Sequence, residues 1–241
     1  MNELALFMGA GGGLLASRLL GWRTVCGVEI NKFCIERVMQ RQNEGHLEPF
    51  PIWDDIRTFD GRPWRKVVDV VSGGFPCQDI SCAGSGAGID GERSGLWGEM
   101  ARIINEIMPK FVFVENSPLL IRRGATRVLR DLAKMGYDAK WGCMGGDYVG
   151  ALVESKRFWL VAFKAHCSML ESNDIFKNII IGKEESFRWQ HSRAVRAAIR
   201  QDDYTEIKRN FNVVAEWMDR LKAIGNGQIP AVAKLAWEIL K

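Results

Sequence analysis

The feature that most constrains the fold is an alternation of short apolar runs with segments of helical periodicity. The apolar runs predict strands at Leu4–Met8, at Thr24–Val28, in a weak segment closed by Asp54–Ile56, through Val70, and at Phe111–Val114, Asp138–Cys143 and Phe158–Phe163. The intervening periodicity predicts helices at Leu14–Leu20, Lys32–Gln42, Leu96–Met108 and Ile121–Met135, with a last apolar helix after Pro230. Such alternation is typical of an α/β fold with a mostly parallel sheet.

The predicted strands end in residues that can carry chemistry. A glycine-rich stretch, Gly9–Gly13, follows the first strand, Glu29 ends the second, and Asp55, Cys77 and Glu115 end or follow later ones. In open α/β sheets, ligands bind beyond the carboxyl ends of the strands. The pattern therefore predicts one site at that edge of the sheet.

Composition sets the outer limits. The chain has 241 residues, 47% hydrophobic and 26% charged, which is ordinary for one large globular domain or one domain with a small appendage. No apolar run is long enough to span a membrane, and the first residues lack the pattern of a secretory signal. The six cysteines form no CxxC pair, so neither a zinc site nor a disulfide framework is expected. A net charge of +4 permits a nucleic-acid partner without requiring one.

The turn Gly73–Gln78 places a cysteine directly after a proline at the end of an apolar strand. Proline fixes φ and removes a backbone donor, and the neighbouring glycines allow close approach of a ligand. Cys77 is therefore a candidate nucleophile. The alternative is a small buried residue in a turn.

Three acidic positions have two interpretations each. Glu29 suits a ribose diol beside the glycine loop, or is a solvated carboxylate. Asp55 can accept from an adenine amino group while Ile56 packs on the ring, or it caps the next segment. Glu115 ends an apolar strand, where desolvation raises a carboxyl pKa and suits proton donation, or it is paired with an arginine such as Arg157.

These motifs together resemble the cytosine-C5 DNA methyltransferase family. The resemblance rests on Gly73–Gln78, Glu115–Asn116 and Gly225–Asn226, in the family's order and spacing from Phe7 to Pro230, and is closest to compact phage or prophage members. It implies a Rossmann-like S-adenosylmethionine-dependent methyltransferase fold with a small variable target-recognition region. It also implies double-stranded DNA as substrate, no metal, and a role in restriction-modification.

The resemblance implies a mechanism as well. The thiolate of Cys77 attacks C6 of a cytosine flipped out of the duplex, Glu115 contacts N3, Arg157 holds O2, and C5 takes the methyl group. Asn116 joins these as the fourth catalytic position. The cofactor positions carried over are Phe7, Gly9, Gly11, Gly12, Glu29, Ile30, Asp55, Ile56, Pro76, Leu96 and Asn226.

The family places its variable domain where this chain loses its strand and helix rhythm. We expect residues 164–217 to form the target-recognition region, and residues 1–163 with 218–241 to form the catalytic, cofactor-binding domain. An arginine-rich stretch within that region is typical of DNA contact, although a solvated helix face has the same composition. The expected DNA-binding residues are Gln78, Ser81, Arg188, Gln190, Arg193, Arg196 and Arg200.

The chain departs from the family pattern at two positions before its late strand. Ser155 stands where the family has the first of two arginines, and Leu152 replaces its proline. Methylation of RNA cytosine, or a non-catalytic DNA- or cofactor-binding module, are the alternative functions. A monomer in the cytoplasm of a bacterial or phage-infected cell is the expected setting.

Overall fold

The computed structural model describes residues 1–76, 96–151, 155–164 and 227–241. Its core is a seven-stranded sheet in the order β3-β2-β1-β4-β5-β7-β6. The strands are β1 Asn2–Leu6, β2 Arg23–Val28, β3 Ile52–Trp53, β4 Val70–Gly73, β5 Phe111–Asn116, β6 Tyr137–Met144 and β7 Arg157–Lys164. Strands β1 to β5 pair in parallel, whereas β7 is antiparallel to both β5 and β6. The predicted mostly parallel α/β sheet is confirmed.

Helices cover both faces of this sheet. They are α1 Gly12–Leu19, α2 Lys32–Asn43, α3 Leu96–Ile107, α4 Leu120–Arg123, α5 Ala125–Lys134 and α6 Pro230–Leu240. Short 3₁₀ turns occur at Arg62–Trp64 and Gly146–Val149. The single helix predicted over Ile121–Met135 is wrong in one respect, because the chain breaks at Gly124 into α4 and α5.

The sides of the sheet are set by the alternation of side chains along each strand. Leu4, Val71 and Val112 pack with α3 and α5 on one face. Val70 and Phe113 pack with α1 and α6 on the other, where Trp237 contacts both Trp22 and Phe113. Burial of β5 on both faces explains its nearly unbroken apolar sequence.

The turn after β4 is held by contacts from two other elements. Phe75 is buried against Trp97 in the first turn of α3, with ring centroids 5.5 Å apart. The Trp97 indole N–H donates to Asp131 on α5 at 3.0 Å. These contacts fix Pro76 at the carboxyl edge of the sheet.

Candidate active site

A cavity of about 1080 Å³ opens at the carboxyl ends of β1, β2, β4 and β5. Most of the predicted site residues that the structure describes line it: Phe7, Gly9, Gly12, Glu29, Ile30, Asp55, Ile56, Pro76, Leu96, Glu115, Asn116 and Arg157. Gly11 is described but does not line the cavity. The remaining predicted positions lie outside the described residues: Cys77, Gln78, Ser81, Arg188, Gln190, Arg193, Arg196, Arg200 and Asn226. The structure thus brings the two halves of the predicted site, the glycine loop and the Glu115 side, into one cavity.

The glycine loop turns sharply between β1 and α1. Phe7, Gly9 and Gly11 have φ angles of +52°, +54° and +95°, all in the left-handed region. Glycine adopts this conformation without a steric cost, whereas Phe7 bears strain of roughly 1–3 kcal/mol at the loop that enters the cavity. Backbone strain of this kind is concentrated at ligand sites in proteins.

Glu29 is anchored to this loop by two backbone N–H groups. The Gly9 N–H donates to its Oε2 and the Asn31 N–H donates to its Oε1, each at 2.8 Å. Each carboxylate oxygen retains a lone pair after these bonds. The side chain is therefore held in place with acceptor capacity left over, which is what recognition of a diol requires.

Asp55 also lines the cavity, and its carboxylate is hydrogen-bonded to Arg57. The Arg57 guanidinium donates to Oδ1 at 2.9 Å and to Oδ2 at 2.7 Å, and the Arg57 backbone N–H adds a bond of 3.0 Å. These bonds lower the pKa of Asp55. Asp55 therefore caps the segment that follows it, which was one of its two sequence interpretations. The other interpretation, contact with an adenine amino group, stays a prediction.

Arg102, a partly buried arginine on α3, binds the loop that follows Asp55. The Arg102 guanidinium donates to the carbonyl oxygens of Ile56 at 2.9 Å and Phe59 at 3.0 Å. It also forms ion pairs with Glu99 and Glu106 on its own helix. Glu106 in turn accepts from the Gly61 N–H at 2.7 Å. Sequence reasoning missed this network, because helical spacing shows the α3 ion pairs but not the loop carbonyls.

Glu115 lies at the opposite end of the cavity from Glu29. Its Oε1 is 3.0 Å from Nε of Arg157 on the antiparallel strand β7, and its side chain is 12% exposed. Burial raises the pKa of Glu115 to about 7, although the charge of Arg157 and hydrogen bonds from Gln228 and Arg157 act in the lowering direction. Both sequence interpretations hold at once, since the carboxyl group is desolvated and also paired with Arg157.

Gly74 explains how a carboxyl group fits beside the proline turn. A Cβ added at Gly74 would lie 2.6 Å from Oε2 of Glu115, a distance that real contacts do not reach. A side chain at this position would therefore push the Glu115 carboxyl group away from its place beside Arg157. The sequence contained the signal, since Gly74 belongs to the quoted motif, but it did not show which group occupies the space.

Asn116 is 2% exposed and holds the turn together. Its Nδ2 donates to the Phe75 carbonyl oxygen at 3.0 Å, and its Oδ1 accepts from the Ser117 N–H at 2.8 Å. This geometry gives Asn116 a positioning contact one residue before Pro76. A direct catalytic role for Asn116 stays a prediction.

The described part of the chain contains neither a membrane-spanning helix nor a metal-binding cluster. No helix there has the length and apolar character needed to cross a membrane. The same residues contain no group of three or more His, Cys, Asp or Glu side chains arranged to bind a metal ion.

The chain was compared with known proteins. Residues 1–230 match the family model described as C-5 cytosine-specific DNA methylase. The type II methyltransferase M.CviJI of Paramecium bursaria Chlorella virus IL3A is 30% identical over 165 residues, covering 68% of this chain and 43% of that protein. M.Eco47II of Escherichia coli is 35% identical over 129 residues, covering 54% and 30%. The chain thus spans less than half the length of these two curated relatives.

A structural comparison supports the same fold. The Dnmt2 methyltransferase of S. pombe superposes with a TM-score of 0.58 at 20% identity, covering 73% of this chain and 55% of that one. At this identity, the likeness establishes the fold and no more.

Proposed function

Since this chain belongs to the C-5 cytosine-specific DNA methylase family, we propose that it transfers a methyl group to C5 of cytosine in double-stranded DNA. The matching family model describes DNA methylases specific for C5 of cytosine, which favours DNA over RNA. Both curated relatives are named type II methyltransferases. The observation that carries the proposal is the pairing of buried Glu115 with Arg157 in the cavity that also contains the Gly9–Glu29 anchor.

The cofactor of the family is S-adenosylmethionine, which supplies an electrophilic methyl group when bound. The residues present fit this cofactor. Glu29 offers carboxylate acceptors to the ribose hydroxyls, and Ile30, 65% exposed beside it, offers an apolar surface for the adenine ring. The remaining proposed contacts come from Phe7, Gly9, Gly11, Gly12, Asp55, Ile56, Pro76, Leu96 and Asn226.

The proposed steps use the residues at the other end of the cavity. The Cys77 thiolate adds to C6 of the flipped cytosine, and Glu115 gives its proton to N3 as electron density moves into the ring. Arg157 donates to the cytosine O2. After C5 has taken the methyl group, the C5 proton passes to solvent water and the thiolate leaves C6. Return of the N3 proton to Glu115 then gives neutral 5-methylcytosine and restores the enzyme. A Glu115 pKa of about 7 leaves a substantial protonated fraction at neutral pH, as this role requires.

The remaining assignments complete the proposal. Residues 164–217 form the target-recognition region, with 1–163 and 218–241 as the catalytic domain. The proposed DNA contacts are Gln78, Ser81, Arg188, Gln190, Arg193, Arg196 and Arg200. The protein works as a monomer in the cytoplasm of a bacterial or phage-infected cell.

The test is expression in a host that lacks cytosine methylation, followed by bisulfite sequencing. We expect 5-methylcytosine at a defined short site with the unaltered chain and none with Cys77→Ala. Cys143→Ala, a change at a half-buried cysteine on β6, is the matched control and should retain methylation. Normal methylation by Cys77→Ala would exclude the covalent mechanism, and absence of methylation by the unaltered chain would exclude the activity.

A further inference from the structure

The loop after β3 carries Asp55 and Ile56, the two residues proposed for the adenine end of the cofactor. Several of its hydrogen bonds are local. The backbone oxygen of Asp55 accepts from the Thr58 N–H at 3.1 Å and from the Thr58 hydroxyl at 3.0 Å. The Ile56 oxygen accepts from the Phe59 N–H at 3.3 Å. These bonds shape a turn, but they do not fix its position against the sheet.

Two longer-range bonds attach this turn to α3. Nη2 of Arg102 donates to the Ile56 oxygen at 2.9 Å, and Nη1 donates to the Phe59 oxygen at 3.0 Å, across separations of 46 and 43 residues. Ile56 and Phe59 begin and end the turn. A guanidinium group is planar and its N–H groups point in fixed directions, so two bonds from it fix both the distance and the orientation of the turn.

Arg102 is itself held by its own helix. Its Nε donates to Glu99 and its Nη1 donates to Glu106, each at 2.8 Å. These partners lie about one turn away in either direction, where helical side chains meet. Glu106 also binds the chain beyond the loop, because its Oε2 accepts from the Gly61 N–H at 2.7 Å. The donors that face the loop are therefore oriented before any ligand binds.

The same helix contributes to the cavity directly. Leu96, in the first turn of α3, lines the cavity, whereas Arg102 does not. We propose that Arg102 is a positioning residue, which sets the affinity for S-adenosylmethionine by holding the Asp55–Phe59 loop without contacting the cofactor. The inference rests on the proposed function, because it uses the proposed contacts of Asp55 and Ile56 with adenine.

The competing explanation is that Arg102 serves stability alone, through its ion pairs with Glu99 and Glu106. Two substitutions separate the explanations. Arg102→Met keeps an extended apolar stem and removes every donor. Arg102→Lys keeps the charge and the reach to one carbonyl oxygen, but it lacks the planar fork. A residue that serves stability alone lowers the free energy of unfolding and leaves the Kd of the folded protein unchanged.

The experiment measures the Kd for S-adenosylmethionine by calorimetry and the hydrogen exchange of the Thr58 and Phe59 amides by NMR. In Arg102→Met we expect the Kd to rise about tenfold, as for a loop that keeps its binding arrangement in about one molecule in ten. Both amides should exchange faster. Arg102→Lys should recover part of the loss, with a Kd raised about threefold.

Two further readouts place the effect at the adenine end. Adenosine alone, measured by competition, should lose affinity by the same factor as S-adenosylmethionine. The kcat at saturating cofactor should stay within about twofold, because the Glu115 end of the cavity is unchanged. Arg62→Met is the matched control, since Arg62 pairs with Asp60 at 2.9 Å and its side chain is 77% exposed. It should leave the Kd unchanged.

An unchanged Kd in Arg102→Met, unchanged exchange of the two amides, or lost affinity for S-adenosylmethionine but not for adenosine overturns the proposal, whatever happens to thermal stability. Should Arg102→Met fail to fold, the same outcomes in Arg102→Lys decide. If the unaltered chain transfers no methyl group, the proposed function fails, whereas cofactor binding and hydrogen exchange still decide the role of Arg102.

Discussion

Two glutamates lie at the carboxyl edge of the same sheet, at the ends of strands separated by β1 and β4, and their surroundings differ. Glu29, after β2, is partly exposed and accepts from two backbone N–H groups of its own loops. Glu115, on β5, is buried and paired with the side chain of Arg157, which lies far from it in the sequence. One glutamate is thus held by backbone groups near it in the sequence, and the other is held by a side chain that lies far from it in the sequence.

The difference teaches how one edge divides binding from proton transfer. Two backbone N–H donors orient the partly exposed Glu29 side chain and leave acceptor positions open, which suits a group that binds hydroxyls. Burial beside an arginine brings the pKa of Glu115 to about 7, which suits a group that exchanges a proton at neutral pH. The comparison predicts that substitutions at the two ends affect different kinetic constants.

The largest effect is expected from Glu115→Gln. The amide keeps the shape and the contact with Arg157 but cannot supply the proton, so kcat should fall by about 10²- to 10⁴-fold. Binding of S-adenosylmethionine, measured by calorimetry, should change less than about threefold. Glu238→Gln, at a surface ion pair on α6, is the control and should keep full activity. A variant with normal kcat and weakened cofactor binding would reverse the proposed division.

The second effect is on the pH dependence of stability. Because the pKa of Glu115 is raised from 4.5 to about 7 in the folded state, its stabilising contribution is complete below pH 4.5 and is lost as the pH rises through 7. At roughly 1.4 kcal/mol per pKa unit, the loss is about 3 kcal/mol. Buried Glu3, with hydrogen bonds from Ser17, Thr24 and Ser72, has a raised pKa and acts in the same direction.

Glu115→Gln isolates the contribution of one residue. The free energy of unfolding, measured with urea at pH 4.5 and pH 8, should fall more steeply in the unaltered chain than in the variant. The difference between the two falls should be about 3 kcal/mol. If the free energy of unfolding falls equally with pH in both proteins, the pKa of Glu115 is not raised. Its proposed role in proton transfer would then lose its support.

The sequence predicts the Glu29 side of the site better than the Glu115 side. Glu29 contacts Gly9 and Asn31, which lie within 20 residues of it, so the glycine loop and the strand end were readable as one motif. Glu115 depends on Arg157 and Gly74, which come close to it only when β4, β5 and β7 are assembled. The sequence named Arg157 as a partner but did not show that Gly74 makes room for the carboxyl group.

The prediction of one helix over Ile121–Met135 was wrong because its interruption also depends on tertiary packing. Ile121–Met135 has continuous helical periodicity, and Ala125, Val128 and Leu132 are buried as expected, whereas Ile121 is exposed. Gly124 interrupts the helix nonetheless, because Leu120 and Ala125 both enter the core and the chain must bend between them. Periodicity indicates which residues face the core. It does not indicate whether those residues belong to one continuous helix or to two.

The smallest effect is expected from Glu29→Ala. The change removes the acceptor proposed for the ribose hydroxyls. It also leaves the Gly9 and Asn31 N–H groups to hydrogen-bond with water instead of Glu29. Loss of charge-assisted hydrogen bonds should raise the Kd for S-adenosylmethionine about 10- to 100-fold, with kcat at saturating cofactor nearly unchanged. Glu36→Ala, an exposed glutamate on α2 that is 4.0 Å from Lys32, is the control and should leave the Kd unchanged. A fall in kcat without a rise in Kd would place Glu29 in the chemistry, and the two ends of the cavity could then no longer be assigned separate tasks.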